Sequence, residues 1–368
     1  MKPTIINGWD IPKEEYLKAY QDGKLVKLCI DLSNVCTLSC PGCFTKRVGD
    51  SFTDKGKKRL PNEMPYESQF ELIEEASNLG AKTVDIVGAG EPTSDPRFND
   101  IIGKINDLGM RAVIFTHGAT REFDSLESLV KKDISFFVKL WSLNNNLQNL
   151  YVAGSLPDYA LKRDIAINKL ISLKLNEGIE KKVDGIDYKS SRVGADVLVM
   201  RSNYAEIPDI LRFCRDRNIM PITKTYIPEG PTLFAQEMNK GVITPIQLST
   251  LKKDEVSPQD FQRLREKLVK IDSEEYEIKE LNTMYPQACK CTQSMAALYV
   301  TITGDIRSCV GTHFSYVIYQ PGKNMLKEVL IYRKERVGFG CAPRIEDAER
   351  RNLKVDDKLL KIYSSGIS

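Results

Sequence analysis

Three thiols stand within eight residues of one another, Cys36, Cys40 and Cys43 in the run CTLSCPGC. Thiolates are metal ligands, and a tetrahedral zinc ion takes four donors, so three in one loop leave zinc in need of a remote fourth. A 4Fe–4S cluster held by three thiolates instead keeps one iron open, and Pro41 and Gly42 let the backbone wrap around an inorganic core. Spacing alone leaves both readings open. A second group, Cys289, Cys291, Cys309 and Cys341, offers four thiols, the number for another 4Fe–4S cluster or for one zinc. Of the nine cysteines this leaves Cys29 and Cys214, which sit among apolar neighbours and read as small core residues. Only His117 and His313 are present, which argues against zinc hydrolases, triad hydrolases and two-histidine iron oxygenases.

The elements around these residues repeat. Lys27–Leu32 reads as a buried strand that runs into the first cysteine loop. A helix over Glu67–Leu79, stopped by Gly80, leads to a strand over Lys82–Val87 and the turn Gly88-Ala89-Gly90-Glu91-Pro92. Phe98, Ile101, Ile102, Ile105 and Leu108 mark one face of the next helix, and Ala112–Phe115 is a strand before Thr116 and His117. A third unit has a helix over Asp124–Lys132 and the strand Ile134–Leu140. A fourth has a helix over Asp158–Leu175, a polar stretch from Asn176 to Arg192 and the strand Ala195–Met200. The fifth has a helix over Ile207–Arg217 and the strand Ile222–Tyr226. Six strands alternating with five helices imply right-handed parallel β/α units, with loops and site residues gathered at the strands' C-terminal ends.

Some polar residues occupy strands that otherwise read as buried. Lys139 lies inside ISFFVKLWSL, and Lys224 and Tyr226 share one face of the sixth strand. A lysine buried without a partner is costly, so each ammonium either reaches solvent or meets an anion at the strand ends. Beyond residue 231 the periodicity fades. Ser257 and Pro258 then cap a helix with Phe261, Leu264, Leu268 and Ile271 inward, and a hairpin forms around Gly304 and Asp305.

The chain as a whole has 368 residues and a net charge of +3, with 42% hydrophobic and 28% charged residues. That balance excludes disorder and gives no general attraction to nucleic acid or to an anionic membrane. No run of about 18 apolar residues exists and the N-terminus lacks a signal-peptide layout, so a cytoplasmic location is expected.

With these residues in place, the chain resembles the radical S-adenosylmethionine (SAM) superfamily, whose CxxxCxxC loop follows the first strand of a partial (β/α)6 TIM-like barrel. The resemblance implies a cluster on Cys36, Cys40 and Cys43 whose open iron is chelated by SAM. Gly88, Ala89, Gly90 and Glu91 look like the family's GGEP turn, with Ala89 replacing a glycine and the Glu91 carboxylate facing the SAM ammonium. Thr116 and His117 match its third-strand turn, with His117 in place of Asn. Ser142, Asn144 and Asn203 match polar SAM contacts. The aromatic residue that often precedes the last cysteine is replaced by Gly42, with Phe44 one place later.

Cys291, Gly304 and Cys309 resemble the opening of SPASM and twitch extensions. That implies a small C-terminal α+β domain with an auxiliary 4Fe–4S cluster, to which Cys289 and Cys341 would add; Cys289, if unligated, would be a hydrogen donor. Expected boundaries are a lead-in at 1–24, the barrel at 25–235, a connector at 236–284, the extension at 285–345 and a tail at 346–368. A flavodoxin or ferredoxin would supply electrons. With 35 residues before Cys36, too few for a leader-peptide domain, the substrate is expected to be a small polar metabolite. A peptide or protein substrate is the alternative, and a non-enzymatic iron–sulfur or zinc scaffold the third.

Overall fold

The structure, a computed structural model, describes residues 1–40, 43, 45, 57–152, 156–224, 254–279, 296–310 and 315–337. The chain opens with β1 (Thr4–Ile6), α1 (Lys13–Asp22) and β2 (Lys27–Ser33). It continues through α2 (Tyr66–Asn78), β3 (Thr83–Ala89), α3 (Phe98–Asp107), β4 (Arg111–Thr116) and β5 (Ile134–Lys139). Next come α4 (Asn145–Leu150), α5 (Tyr159–Ser172), β6 (Glu180–Val183), β7 (Ile186–Ser191), β8 (Val193–Leu198), α6 (Ile207–Arg215) and β9 (Met220–Lys224). The last described elements are α7 (Pro258–Glu275), β10 (Ala297–Val300), β11 (Asp305–Arg307), β12 (Val317–Ile318) and α8 (Met325–Val337).

The result is an α/β fold around a mixed nine-stranded sheet in the order β12-β11-β10-β2-β3-β4-β5-β8-β9. From β2 to β9 the six strands are parallel and adjacent in chain order, as six consecutive β/α units require. Strands covered on both faces need apolar residues throughout, and every residue of β2 is buried. The helices supply that cover. Phe98, Ile101, Ile102 and Ile105 of α3 are buried against the sheet. Gly80, with φ +95°, ends the turn after α2.

Side chains crossing the sheet show that it curves. The Trp9 ring lies 4.8 Å from Phe137 on β5 and 6.0 Å from Phe115 on β4, donates to Asp85 Oδ1 on β3 at 3.0 Å, and carries the Lys27 ammonium of β2 at 4.3 Å. Lys224 of β9 sits 5.0 Å over Phe115, although β4 and β9 are three strands apart, about 14 Å in a flat sheet. The face carrying these residues is therefore concave. The residues before α1, read from sequence as a plain polar lead-in, close its floor with Trp9 and pair β1 with β7.

Other local expectations change. The helix foreseen over 124–132 is a 3-10 segment, Arg121–Ser128. The polar stretch 176–192 folds as the β6–β7 hairpin, whose outward residues are polar because one face meets water. Helix α4 is short and apolar on too few positions to show periodicity. Ser257 does cap α7, its Oγ accepting from Asp260 N–H at 3.1 Å, and Asp272 of α7 takes a bidentate bond from Arg215 of α6 at 2.8 Å on both arms.

The foreseen hairpin is β10–β11 with Gly304 at φ +86°. β10 also runs parallel to β2, Ala297 opposite Lys27 and Val300 opposite Ile30, so it continues the main sheet. Tyr299 donates to Asp31 Oδ2 at 2.7 Å across that seam. The crossing segment up to 253 and the tail from 346 lie outside the described residues.

Candidate active site

The cysteine loop leaves β2 and is fastened to the turn after β3 by backbone. Gly90 N–H donates to Ser33 O and Glu91 N–H to Val35 O, each at 2.7 Å. A Cβ on Gly90 would lie 2.1 Å from Val35 O, so only glycine permits this approach. The close neighbour that demands glycine is thus the cysteine loop's own backbone. Cys36 forms an antiparallel bridge to Lys57, with N–H to O distances of 3.0 and 2.6 Å. Cys43 N–H reaches Cys40 O at 3.2 Å, which brings the second and third thiols onto one turn.

Two ammonium groups approach the thiols. Lys139, at the end of β5, donates from Nζ to Cys40 Sγ at 3.1 Å and lies 4.5 Å over the Trp141 ring. Lys57, nine-tenths buried, donates to Ala89 O at 2.6 Å and to Thr45 Oγ1 at 2.8 Å, and Thr45 Oγ1 sits 3.3 Å from Cys43 Sγ. Charge and burial divide the thiols. Burial, with Cys40 and Glu91 nearby, pushes Cys36 up to about 12. Burial also acts to raise Cys43, but Lys57, Thr45 and Lys139 outweigh it and hold that thiol below its usual value. Burial disfavours charge on Lys139, yet Cys40, Tyr159 and Cys36 together keep it protonated beyond the ordinary range.

Glu91 joins the turns after β3 and β4. Its Oε1 accepts from Thr93 Oγ1 at 2.7 Å, Thr116 Oγ1 at 2.5 Å and Thr93 N–H at 3.3 Å, and its Oε2 from His117 N–H at 2.7 Å. With 2% of its surface exposed, this carboxylate is engaged by the protein's own donors. His117 Nδ1 accepts from Ala119 N–H at 3.0 Å, which puts the ring proton on Nε2, 3.2 Å from Thr37 Oγ1. Burial first and Lys139 second hold its pKa down against Glu91, so the imidazole is neutral. Tyr159 OH, from α5, donates to His117 O at 3.1 Å and lies 3.3 Å from Lys139 O, which ties the turns after β4 and β5 together.

The remaining strand-end residues serve the turns they sit in. Ser142 Oγ donates to Glu206 Oε2 at 2.6 Å, and Asn144 Oδ1 caps α4 from Asn146 and Leu147 N–H at 3.0 and 3.1 Å. Fully buried Asn203 accepts from Met200 N–H at 2.7 Å and donates to Trp141 O and Leu198 O at 2.5 and 2.8 Å. Lys224 pairs with Asp196 at 2.5 Å on the concave face. Gly88 and Ala89 end β3, beside Asp31 and the Lys57 ammonium respectively. Cys309 follows β11, partly exposed. Gly42, Phe44, Tyr226, Cys289, Cys291 and Cys341 lie outside the described residues.

Sequence reasoning missed Lys57, Glu206 and Tyr159. Lys57 sits in a lysine-rich polar stretch that carries no periodicity. Glu206 and Tyr159 begin helices, where an acid or an aromatic residue is unremarked. Tyr299 had a weak signal, the alternation of Tyr299 and Thr301 with buried Leu298 and Val300.

The donors suit a cluster. Cys36, Cys40 and Cys43 share a small buried group with Leu38, Val152 and Tyr159. Among the described residues no three Cys, His, Asp or Glu side chains converge as a single metal ion would need. A four-iron cube takes its thiolates on different irons, and three thiols in one loop are a donor set of that kind.

No family model matches the chain. It is 22% identical over 205 residues to a tungsten-containing aldehyde ferredoxin oxidoreductase cofactor-modifying protein of Pyrococcus furiosus, covering 53% of this chain and 52% of that protein. It is 34% identical over 92 residues to an S-adenosylmethionine-dependent nucleotide dehydratase of Flammeovirga pacifica, covering 25% of this chain and 30% of the other. The matches thus span about half or less of these curated relatives.

Among solved structures it is similar to Streptococcus suis SuiB bound to precursor peptide SuiA. The TM-score is 0.57 at 16% identity, over 85% of this chain and 67% of that one. The AdoMet-bound anSMEcpe follows with a TM-score of 0.52 at 12% identity, over 82% and 80%. At these identities the likeness shows a shared fold, and on that fold the chain carries its three-thiol loop after the first strand of the parallel β/α series, with the turn after the second strand fastened to it.

Proposed function

We propose that the chain is a radical SAM enzyme acting on a small polar metabolite, by dehydrogenation, epimerisation or rearrangement. The observation that carries this is the Cys36–Cys43 loop seated on Gly90 and Glu91 at the strand ends, with the Lys139 ammonium on the Cys40 sulfur. Cys36, Cys40 and Cys43 would hold a 4Fe–4S cluster, which would supply one electron, drawn from a flavodoxin or ferredoxin, for reductive cleavage of SAM and hydrogen-atom abstraction from substrate, with 5′-deoxyadenosine as the product. The chain's own work is to position and to exclude water. Glu91 fixes the turns after β3 and β4, Trp9 closes the floor, and the concave face offers Asp196 and Lys224 as polar contacts.

The wider architecture belongs to the same proposal. Residues 25–235 form the partial (β/α)6 barrel, after the lead-in 1–24, and 236–284 connect it to a twitch-like extension at 285–345, before the tail 346–368. Cys289, Cys291, Cys309 and Cys341 there hold an auxiliary 4Fe–4S cluster. A small-molecule substrate is supported by the two curated relatives, one named for cofactor modification and one for a nucleotide. A peptide substrate is the second reading, favoured by the peptide-bound SuiB and anSMEcpe structures of similar fold. Among the described residues no helix is long and apolar enough to cross a membrane.

The test is anaerobic: reconstituted protein, dithionite and SAM, with 5′-deoxyadenosine measured. Formation that disappears in a Cys36→Ala variant supports the reading, and none from the parent protein refutes it. Metabolite and peptide fractions added separately decide the substrate class by which one raises the yield. Iron kept by a variant lacking Cys36, Cys40 and Cys43 supports the auxiliary cluster, and no iron at all removes it.

A further inference from the structure

We infer that Lys57 and Lys139 act as an ammonium pair that raises the reduction potential of the cluster held by Cys36, Cys40 and Cys43, an inference that rests on the cluster reading above. The two lysines arrive from opposite sides. Lys139 comes from the end of β5 and touches Cys40 Sγ at 3.1 Å, and Lys57, bridged by its backbone to Cys36, lies against Thr45, beside Cys43 Sγ. Among the described residues neither ammonium has a carboxylate within ion-pair distance. The contacts Lys57 makes are neutral oxygens, Ala89 O and Thr45 Oγ1. Lys139 has Cys40 Sγ and the Trp141 face.

Cations placed in protein without a carboxylate in contact are expensive unless another anion arrives; Asp31 and Glu91 act on this region only from beyond ion-pair distance of the two ammonium groups, and the anions that can contact them are the three thiolates. The charges balance in a particular way. Three thiolates on a doubly positive 4Fe–4S core leave one net negative charge, and uptake of one electron makes it two. Two ammonium groups cancel the reduced form and over-compensate the oxidised one. They therefore favour reduction, and the hydrogen bond from Lys139 to a ligand sulfur acts in the same direction. The lysines are positioning residues for this purpose. They move no atom of substrate and set how readily the site accepts its electron.

The experiment is a redox titration of anaerobically reconstituted full-length protein with dithionite, followed by EPR of the reduced cluster, together with iron and sulfide content. Lys139→Arg keeps charge and donor, Lys139→Gln keeps a donor without charge, and Lys139→Met keeps neither. The expected potentials run parent and Arg together, then Gln, then Met lowest, with Lys57→Met also lowered and the double Met variant lower than either. A purely structural role moves iron content and leaves potentials equal, and that result overturns the inference. So does any order in which Met is not the most negative of the Lys139 series. If the parent binds no cluster, the proposed function falls as well, which separates the two failures.

Discussion

Glu91→Ala should destabilise the protein rather than only empty a ligand site. The carboxylate serves four donors at 2% exposure: Thr93 N–H, Thr93 Oγ1, Thr116 Oγ1 and His117 N–H. Hydroxyls can turn elsewhere. Thr93 Oγ1 already has Thr120 Oγ1 at 2.8 Å, whereas Thr116 Oγ1, which accepts from Gly118 N–H at 2.9 Å, must rotate its proton to a new acceptor. The two backbone N–H groups cannot, and a buried donor left without an acceptor costs about 1–3 kcal/mol. The expected loss is therefore about 2–6 kcal/mol, a large part of the total stability of an ordinary domain.

Glu91→Gln separates the contributions. One amide oxygen still serves the threonines, while the amide nitrogen faces the His117 N–H as donor against donor, so the loss should be about 1–3 kcal/mol. Urea denaturation of anaerobic protein, read by circular dichroism, gives both values. Variants within about 0.5 kcal/mol of the parent would refute the reasoning. If SAM affinity alone fell in such variants, the carboxylate would be working on the ligand and not on the turn.

Three further outcomes follow from single contacts. Gly90→Ala forces a Cβ onto Val35 O, so the cysteine loop must shift, and iron content after reconstitution should drop well below the parent's while the helical circular dichroism signal persists. Asp31, buried beside Tyr299 and raised to about 6 chiefly by burial, is protonated more readily folded than unfolded, where its value is near 3.8. That contribution to stability is complete below about pH 4 and is lost as pH rises through 6, so Asp31→Asn should gain up to about 3 kcal/mol on the parent between pH 4 and 8 in parallel urea melts; a constant difference would contradict it. Asp272→Ala removes the bidentate carboxylate that Arg215, 1% exposed, engages and should cost about 3–5 kcal/mol, seen as a lowered thermal midpoint, whereas an unchanged midpoint would show that the pair does not carry this part of the stability.

What the sequence disclosed depended on whether the signal was local. Three thiols in eight residues are a local pattern, as are the period of α3 and the glycine stops, and the last two survive in the structure. The β6–β7 hairpin was invisible because its residues face water and its partner, β1, lies 185 residues away in the chain, Thr4 opposite Lys189. Trp9 as a floor was invisible for the same reason, since its contacts come from four different strands. A short polar segment carries no mark of the long-range partner that orders it.

The same distinction explains how the site differs from its sequence reading. A motif records which residue types are present but not which neighbour each one answers to. Gly90 and Glu91 read as ligand-facing because small and acidic residues in a turn often are. Their nearest claims here are Val35 O and the donors after β4, so a requirement for both residues arises before any ligand is considered. Lys57 shows the converse. Nothing in its polar surroundings separates it from Lys55 or Lys58, yet the bridge to Cys36 places its ammonium against the Ala89 carbonyl and beside the third thiol. Residues that hold a reactive loop can thus be as specific as those that form it, and substituting the two lysines tests that point independently of any substrate.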